Sequence, residues 1–164
     1  MKALCSSVLA CLGTASAGFA RVQNLLLSAQ FLLKICDFGF AAKNDPASPL
    51  KTECGTKSYM APEVMTGRGY DGAKADIFSC GVILFIILTG FPPFQAPLAT
   101  DWWFHKLMTK QHDLFWQAHC RSAFFTPEAK DLLNKMLEPV PDHRITVAGI
   151  RFDFFFRFLN LYIS

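Results

Sequence analysis

Between Ile77 and Leu88 the chain carries twelve residues, IFSCGVILFIIL, that are nearly all apolar, with Cys80 and Gly81 inside the run. A helix that is hydrophobic all round lies either in a bilayer or in the middle of a protein core. A bilayer span takes about 20 such residues, so this run is expected to be a core helix, with the rest of the chain packed around it. Lys74 to Thr89 reads as the whole element. It ends at Gly90-Phe91-Pro92-Pro93-Phe94, with Gly at the stop and Pro just beyond, as helix ends favour. A chain of 164 residues can hold one domain with a real core, and 52% hydrophobic content with 17 Phe supplies the material.

A second stretch, Leu33 to Glu63, is suited to chemistry. Phe31 to Cys36 reads as a strand that ends at Asp37-Phe38-Gly39. The stretch closes on Ala61-Pro62-Glu63, and Cys54-Gly55-Thr56 and Tyr59 lie between the two markers. The intervening KNDPASPLKTE is polar, Pro-containing and loop-like. Asp-Phe-Gly and Ala-Pro-Glu, in that order, bracket the activation segment of a protein kinase. On these residues the chain resembles a serine/threonine protein kinase, with the flavour of the calcium/calmodulin-dependent kinase group. The resemblance covers roughly residues 21–148, with its best motifs between 33 and 94.

The resemblance implies a mainly α fold: the carboxy-terminal lobe of the kinase-like architecture, with a small β-hairpin carrying Asp37 and the amino-terminal lobe missing. It implies ATP-dependent phosphoryl transfer to protein Ser or Thr, in which positioning and charge neutralisation on the phosphates supply the catalysis. Asp37 would be a hard oxygen ligand for Mg²⁺. Asn24, thirteen residues earlier, would be the second Mg²⁺ ligand, and Arg21 would stand near the phosphate. Phe38 would be the apolar plug that sets the active state, and Gly39 would let the backbone swing. Thr56 and Tyr59 would lie beside the protein substrate, and Thr52 would be the regulatory phosphothreonine. Asp76 would hold the catalytic-loop backbone, the alternative being a simple helix-start carboxylate. Phe78 stands where the family has Trp. Arg144, in Asp142-His143-Arg144-Ile145-Thr146, would ion-pair with Glu63.

One departure weighs against activity. The His-Arg-Asp positions of the catalytic loop fall on Ala17, Gly18 and Phe19. Phe19 can neither orient nor accept the proton of a substrate hydroxyl, and Gly18 offers no cation to a phosphorylated Thr52. No Gly-rich phosphate loop precedes it. This chain alone is therefore expected to be inactive and to hold ATP and Mg²⁺ weakly. The alternative is a pseudokinase-like module that binds protein partners.

The chain divides into three: an atypical apolar leader at 1–20, a partial kinase domain at 21–150 and a Phe-rich tail at 151–164. The leader has a basic start, a short apolar run and small residues at Ala15-Ser16-Ala17, the layout of a secretory signal peptide or of a gene-model artefact. The stretch from residue 21 onward resembles a cytoplasmic enzyme. Six scattered Cys without paired CxxC spacing argue against a zinc site and a disulfide framework. A net charge of +3 without a clustered basic patch excludes nucleic acid as a partner, and a membrane contact is not expected. Protein substrates or protein partners remain, with a chaperone if the chain exposes apolar surface. Such exposure is expected over part of the face formed by Ile83, Phe85, Ile86 and Ile87, which the family's preceding helix would cover. His105, His112 and His119 recur every seven residues and are expected on a wet helix face. Thr126-Pro127-Glu128 starts a helix whose stripe is Ala129, Leu132, Leu133, Met136 and Leu137.

Overall fold

The apolar run forms α1, Gly72–Thr89. In the computed structural model, which describes residues 24–30, 33–37, 39, 42, 48–53, 55–120 and 123–153, this helix is the central element. It begins two residues before the expected Lys74 because Asp71, in extended backbone, supplies the cap: its carboxylate accepts the Ala73 N–H at 2.9 Å. It ends at Gly90, whose φ of 85° is the left-handed conformation that Gly adopts without strain, and whose N–H donates to the Ile86 carbonyl at 2.7 Å. At 18 residues α1 is long and apolar enough to cross a bilayer by length and composition. The expectation that it is too short for a span is therefore corrected. Burial rather than length marks it as a core helix, since 67% of it lies inside the protein.

Shorter helices and their caps enclose α1. Asp101 starts α2, Trp102–Met108, by accepting the N–H groups of Trp103 and Phe104. His112–His119 forms α3, and α2 packs against it. Thr126 caps α4, Pro127–Met136, through the Ala129 N–H, with Pro127 at the first position where no amide is needed. Ala129, Leu132, Leu133 and Met136 are buried as their spacing predicts. A Cβ on Gly81 would stand 2.9 Å from Met136 Cβ and 3.0 Å from a Leu137 methyl, so α1 and α4 meet there at backbone range. Finally Thr146 caps α5, Val147–Phe152, which takes up the first residues of the Phe-rich stretch.

On the face expected to be partly bare, Ile83 and Phe85 are covered, at 2% and 0% exposed. Phe85 is covered by Phe91, Phe115, Trp116 and Phe125, all with ring centroids within 6.2 Å of its own. Ile86 and Ile87 remain partly buried. Ahead of α1 lie a two-stranded hairpin, β1 (Leu25–Leu27) and β2 (Leu33–Ile35), and two 3₁₀ turns, Lys57–Tyr59 and Pro62–Thr66. The leader at 1–20 and the tail from 154 onward lie outside the described residues.

Candidate active site

The hairpin register is antiparallel, with Leu25 opposite Ile35 and Leu27 opposite Leu33. One step beyond, the Asn24 carbonyl accepts the Cys36 N–H at 2.9 Å and the Cys36 thiol at 3.4 Å. Asn24 and Asp37 are thereby brought to the same end of the hairpin. Asn24 is buried, whereas Asp37 is exposed just past β2. The Asp37 backbone is left-handed, with φ 61°, a conformation uncommon for a residue with a Cβ though more accessible to Asp. Its Oδ1 accepts the Gly39 N–H at 3.2 Å, which closes the turn locally. A residue held in this region at a strand end fits a carboxylate whose direction matters.

Magnesium is typically held by one or two carboxylates, with phosphate and water oxygens completing its shell. An Asp carboxylate and an Asn amide oxygen on adjoining strand ends are the hard donors that such a shell needs from the protein. Among the described residues no group of three or more His, Cys, Asp or Glu could hold a metal unaided. Phe19, Arg21 and Phe38 lie outside the described residues.

The far end of the segment is fastened to the core. Thr56 precedes the turn Lys57–Tyr59, and its carbonyl accepts the Tyr59 N–H at 3.0 Å. The Tyr59 carbonyl accepts the Ser79 hydroxyl at 2.7 Å, which ties Thr56 and Tyr59 to α1. Thr52 is exposed, and its carbonyl accepts the Tyr70 hydroxyl at 2.9 Å. Glu63, in the turn Pro62–Thr66, meets Arg144 across 81 residues of sequence. The pair is bidentate, Nη1 to Oε1 at 2.6 Å and Nη2 to Oε2 at 3.0 Å.

Arg144 has a fully buried side chain, yet its donors are well used. Nε donates to the Glu138 carbonyl at 2.9 Å and Nη1 also to the Lys74 carbonyl at 2.7 Å. Its guanidinium carbon lies 5.0 Å from the centre of the Phe78 ring, a cation–π contact. The sequence signals the Glu63 partner only. Converging main-chain carbonyls leave no mark in residue types.

Asp76 is 2% exposed and sits one turn inside α1. Asp71 caps that helix, so the plain helix-start role for Asp76 does not apply. The three histidines separate: His105 is exposed on α2, while His112 and His119 lie on α3. His112 Nδ1 is 3.0 Å from Asn134 Oδ1. His119 is not on a wet face but buried among Phe85, Trp103 and Phe115, with ring centroids 4.8, 4.2 and 4.5 Å away. Its Nε2 has no hydrogen-bond partner among the described residues. Burial pushes its pKa down to about 4, against a smaller upward pull from a backbone hydrogen bond at Pro93.

A hairpin that aligns Asn24 with Asp37 and a helical body locked to the segment by Glu63–Arg144 define the large lobe of a protein kinase. The family model described as protein kinase domain matches residues 21–156, and the chain belongs to that family. Serine/threonine kinases are among its similar relatives. It is 43% identical over 138 residues to CBL-interacting serine/threonine-protein kinase 10 of Arabidopsis thaliana, covering 82% of this chain and 27% of the relative. It is 44% identical over 136 residues to CBL-interacting serine/threonine-protein kinase 8 of the same plant, covering 82% and 28%. CBL-interacting protein kinase 8 of Oryza sativa subsp. japonica is 42% identical over 136 residues, covering 82% and 29%. The chain thus spans less than a third of the length of these relatives.

Proposed function

We propose that this chain supplies the Mg²⁺- and substrate-facing lobe for ATP-dependent phosphorylation of protein Ser or Thr. The juxtaposition of Asn24 and Asp37 across the hairpin supports this reading most strongly. Bound Mg·ATP would supply the transferable phosphoryl group and the charge that offsets its oxygens. Asp37 and Asn24 would hold the ion, Arg21 would face the phosphate, and Thr56 and Tyr59 would border the protein substrate. Thr52 would be the site of regulatory phosphorylation. By itself the 164-residue polypeptide transfers no phosphate, because Phe19 stands where a carboxylate must accept the hydroxyl proton. Phe19 also favours a second reading, a kinase-like lobe that recruits protein partners without turnover.

Radiolabelled ATP offered with a protein substrate to the purified chain, and to its Asp37→Ala variant, tests the inactivity. Transfer by the wild type that the substitution abolishes would overturn it. Calorimetric titration should show Mg·ATP affinity weaker than millimolar, under about 4 kcal/mol of binding. Micromolar binding would mean that a phosphate cradle exists elsewhere in the chain.

A further inference from the structure

We propose that Gly69 and Tyr70 form a backbone clamp that holds residues 49–52 and presents the Thr52 side chain for modification. The presenting role rests on the reading of Thr52 as a regulatory site; the clamp itself does not.

Three consecutive contacts carry the inference. Gly69 has φ 91°, and a Cβ placed there would stand 3.2 Å from Pro49 Cβ and 3.7 Å from the Leu50 carbonyl. A side chain at 69 would therefore sit in strained backbone and push Pro49 back by a few tenths of an ångström. Leu50 and Tyr70 then form an isolated antiparallel bridge, each N–H donating to the other's carbonyl, at 3.1 and 2.8 Å. Last, the Tyr70 hydroxyl reaches past Leu50 to the Thr52 carbonyl. Tyr70 is itself 7% exposed and directly precedes Asp71, the cap of α1, so the clamp is anchored on the central helix.

At Thr52 the clamp grips main chain only. Tyr70 binds the Thr52 carbonyl and makes no demand on the exposed side chain at that position. A phosphate added to the Thr52 hydroxyl would not have to break any of the three contacts. Tyr70 is thus a positioning residue for the modification site.

Amide hydrogen exchange on the full chain tests this, with the Leu50 and Tyr70 amides as reporters and those of α1 as reference. Tyr70→Phe keeps the ring and removes one hydrogen bond, which should speed exchange at the two reporters by roughly three- to tenfold. The α1 amides should change by less than about twofold. Gly69→Ala should act in the same direction, and Thr52→Ala should leave the reporters unchanged because its side chain takes no part. Unchanged reporters in Tyr70→Phe, or an equal acceleration throughout α1, would overturn the clamp. The Thr52 reading is judged separately, by mass-spectrometric mapping of phosphate on the chain recovered from eukaryotic cells. Phosphate on Thr52 that falls in Tyr70→Phe supports presentation, and equal phosphate in both overturns it. No phosphate on Thr52 in the wild type overturns the regulatory reading, while the exchange data still decide the clamp.

Discussion

Removing either partner of the Glu63–Arg144 pair should be among the most damaging single changes in this chain. A buried ion pair contributes little net stability, because desolvating both charges offsets their attraction, yet stranding one of them costs about 3–5 kcal/mol. The two sides are not equivalent. The Glu63 side chain is 13% exposed and the Arg144 side chain is 0% exposed. Glu63→Gln leaves a buried guanidinium that keeps the Lys74 and Glu138 carbonyls and the Phe78 ring, so its cost should be about 2–3 kcal/mol. Arg144→Ala also leaves those carbonyls without a donor and removes the packing on Phe78, so it should cost about 4–5 kcal/mol. The double variant should cost less than the sum, with a coupling of about 2 kcal/mol. Urea unfolding followed by far-ultraviolet circular dichroism measures all four corners of the cycle. Single variants within about 1 kcal/mol of wild type, or strict additivity, would refute the reasoning.

Acid should weaken the fold through His119. Burial holds its folded pKa at about 4, below the unfolded 6.5, so between those values the unfolded chain binds a proton that the folded chain refuses. The stabilisation is complete above pH 6.5, declines as pH falls towards 4 and amounts to roughly 3 kcal/mol. Unfolding midpoints over that window should flatten in His119→Phe, and an undiminished slope would contradict the assignment. Gly81→Val should destabilise by about 2 kcal/mol or more, since even a bare Cβ there meets Met136 Cβ at 2.9 Å. A thermal midpoint equal to wild type would show that α1 and α4 part easily.

Features with a local chemical cause are legible in the residues. Gly90 stops α1, and Thr126-Pro127 starts α4, because backbone conformation and orphan amides at helix ends select those residue types. Asn24 and Asp37 are recoverable through the family's motifs, and the hairpin that brings them to one end is seen only in the structure. Glu63 and Arg144 are recoverable only through the family resemblance, as no periodicity links residues 81 positions apart. The Tyr70 clamp leaves no signal beyond a Gly beside an aromatic residue. A seven-residue recurrence misleads for the histidines, because His105 lies on α2, which ends at Met108, while on α3 His112 reaches Asn134 and His119 packs into the aromatic core. Spacing cannot show that His105 is on another helix, nor that the α3 face carrying His119 meets the rings of Phe85, Trp103 and Phe115. Likewise the apolar run marks the core of α1 but not its length, since Asp71 and Gly72 are polar or small and extend the helix beyond the hydrophobic stretch.

The most direct test of the kinase-lobe reading is a chimera in which residues 21–153 replace the matching stretch of the Arabidopsis relative that is 43% identical. The relative then contributes its own sequence on both sides, and this chain contributes Asn24, Asp37, the clamp and the Glu63–Arg144 lock. Phosphate transfer from ATP to a protein substrate is measured with and without Asp37→Ala. Transfer by the chimera that vanishes in the Asp37→Ala variant is the predicted result; a folded chimera without transfer, or transfer indifferent to Asp37, would contradict it.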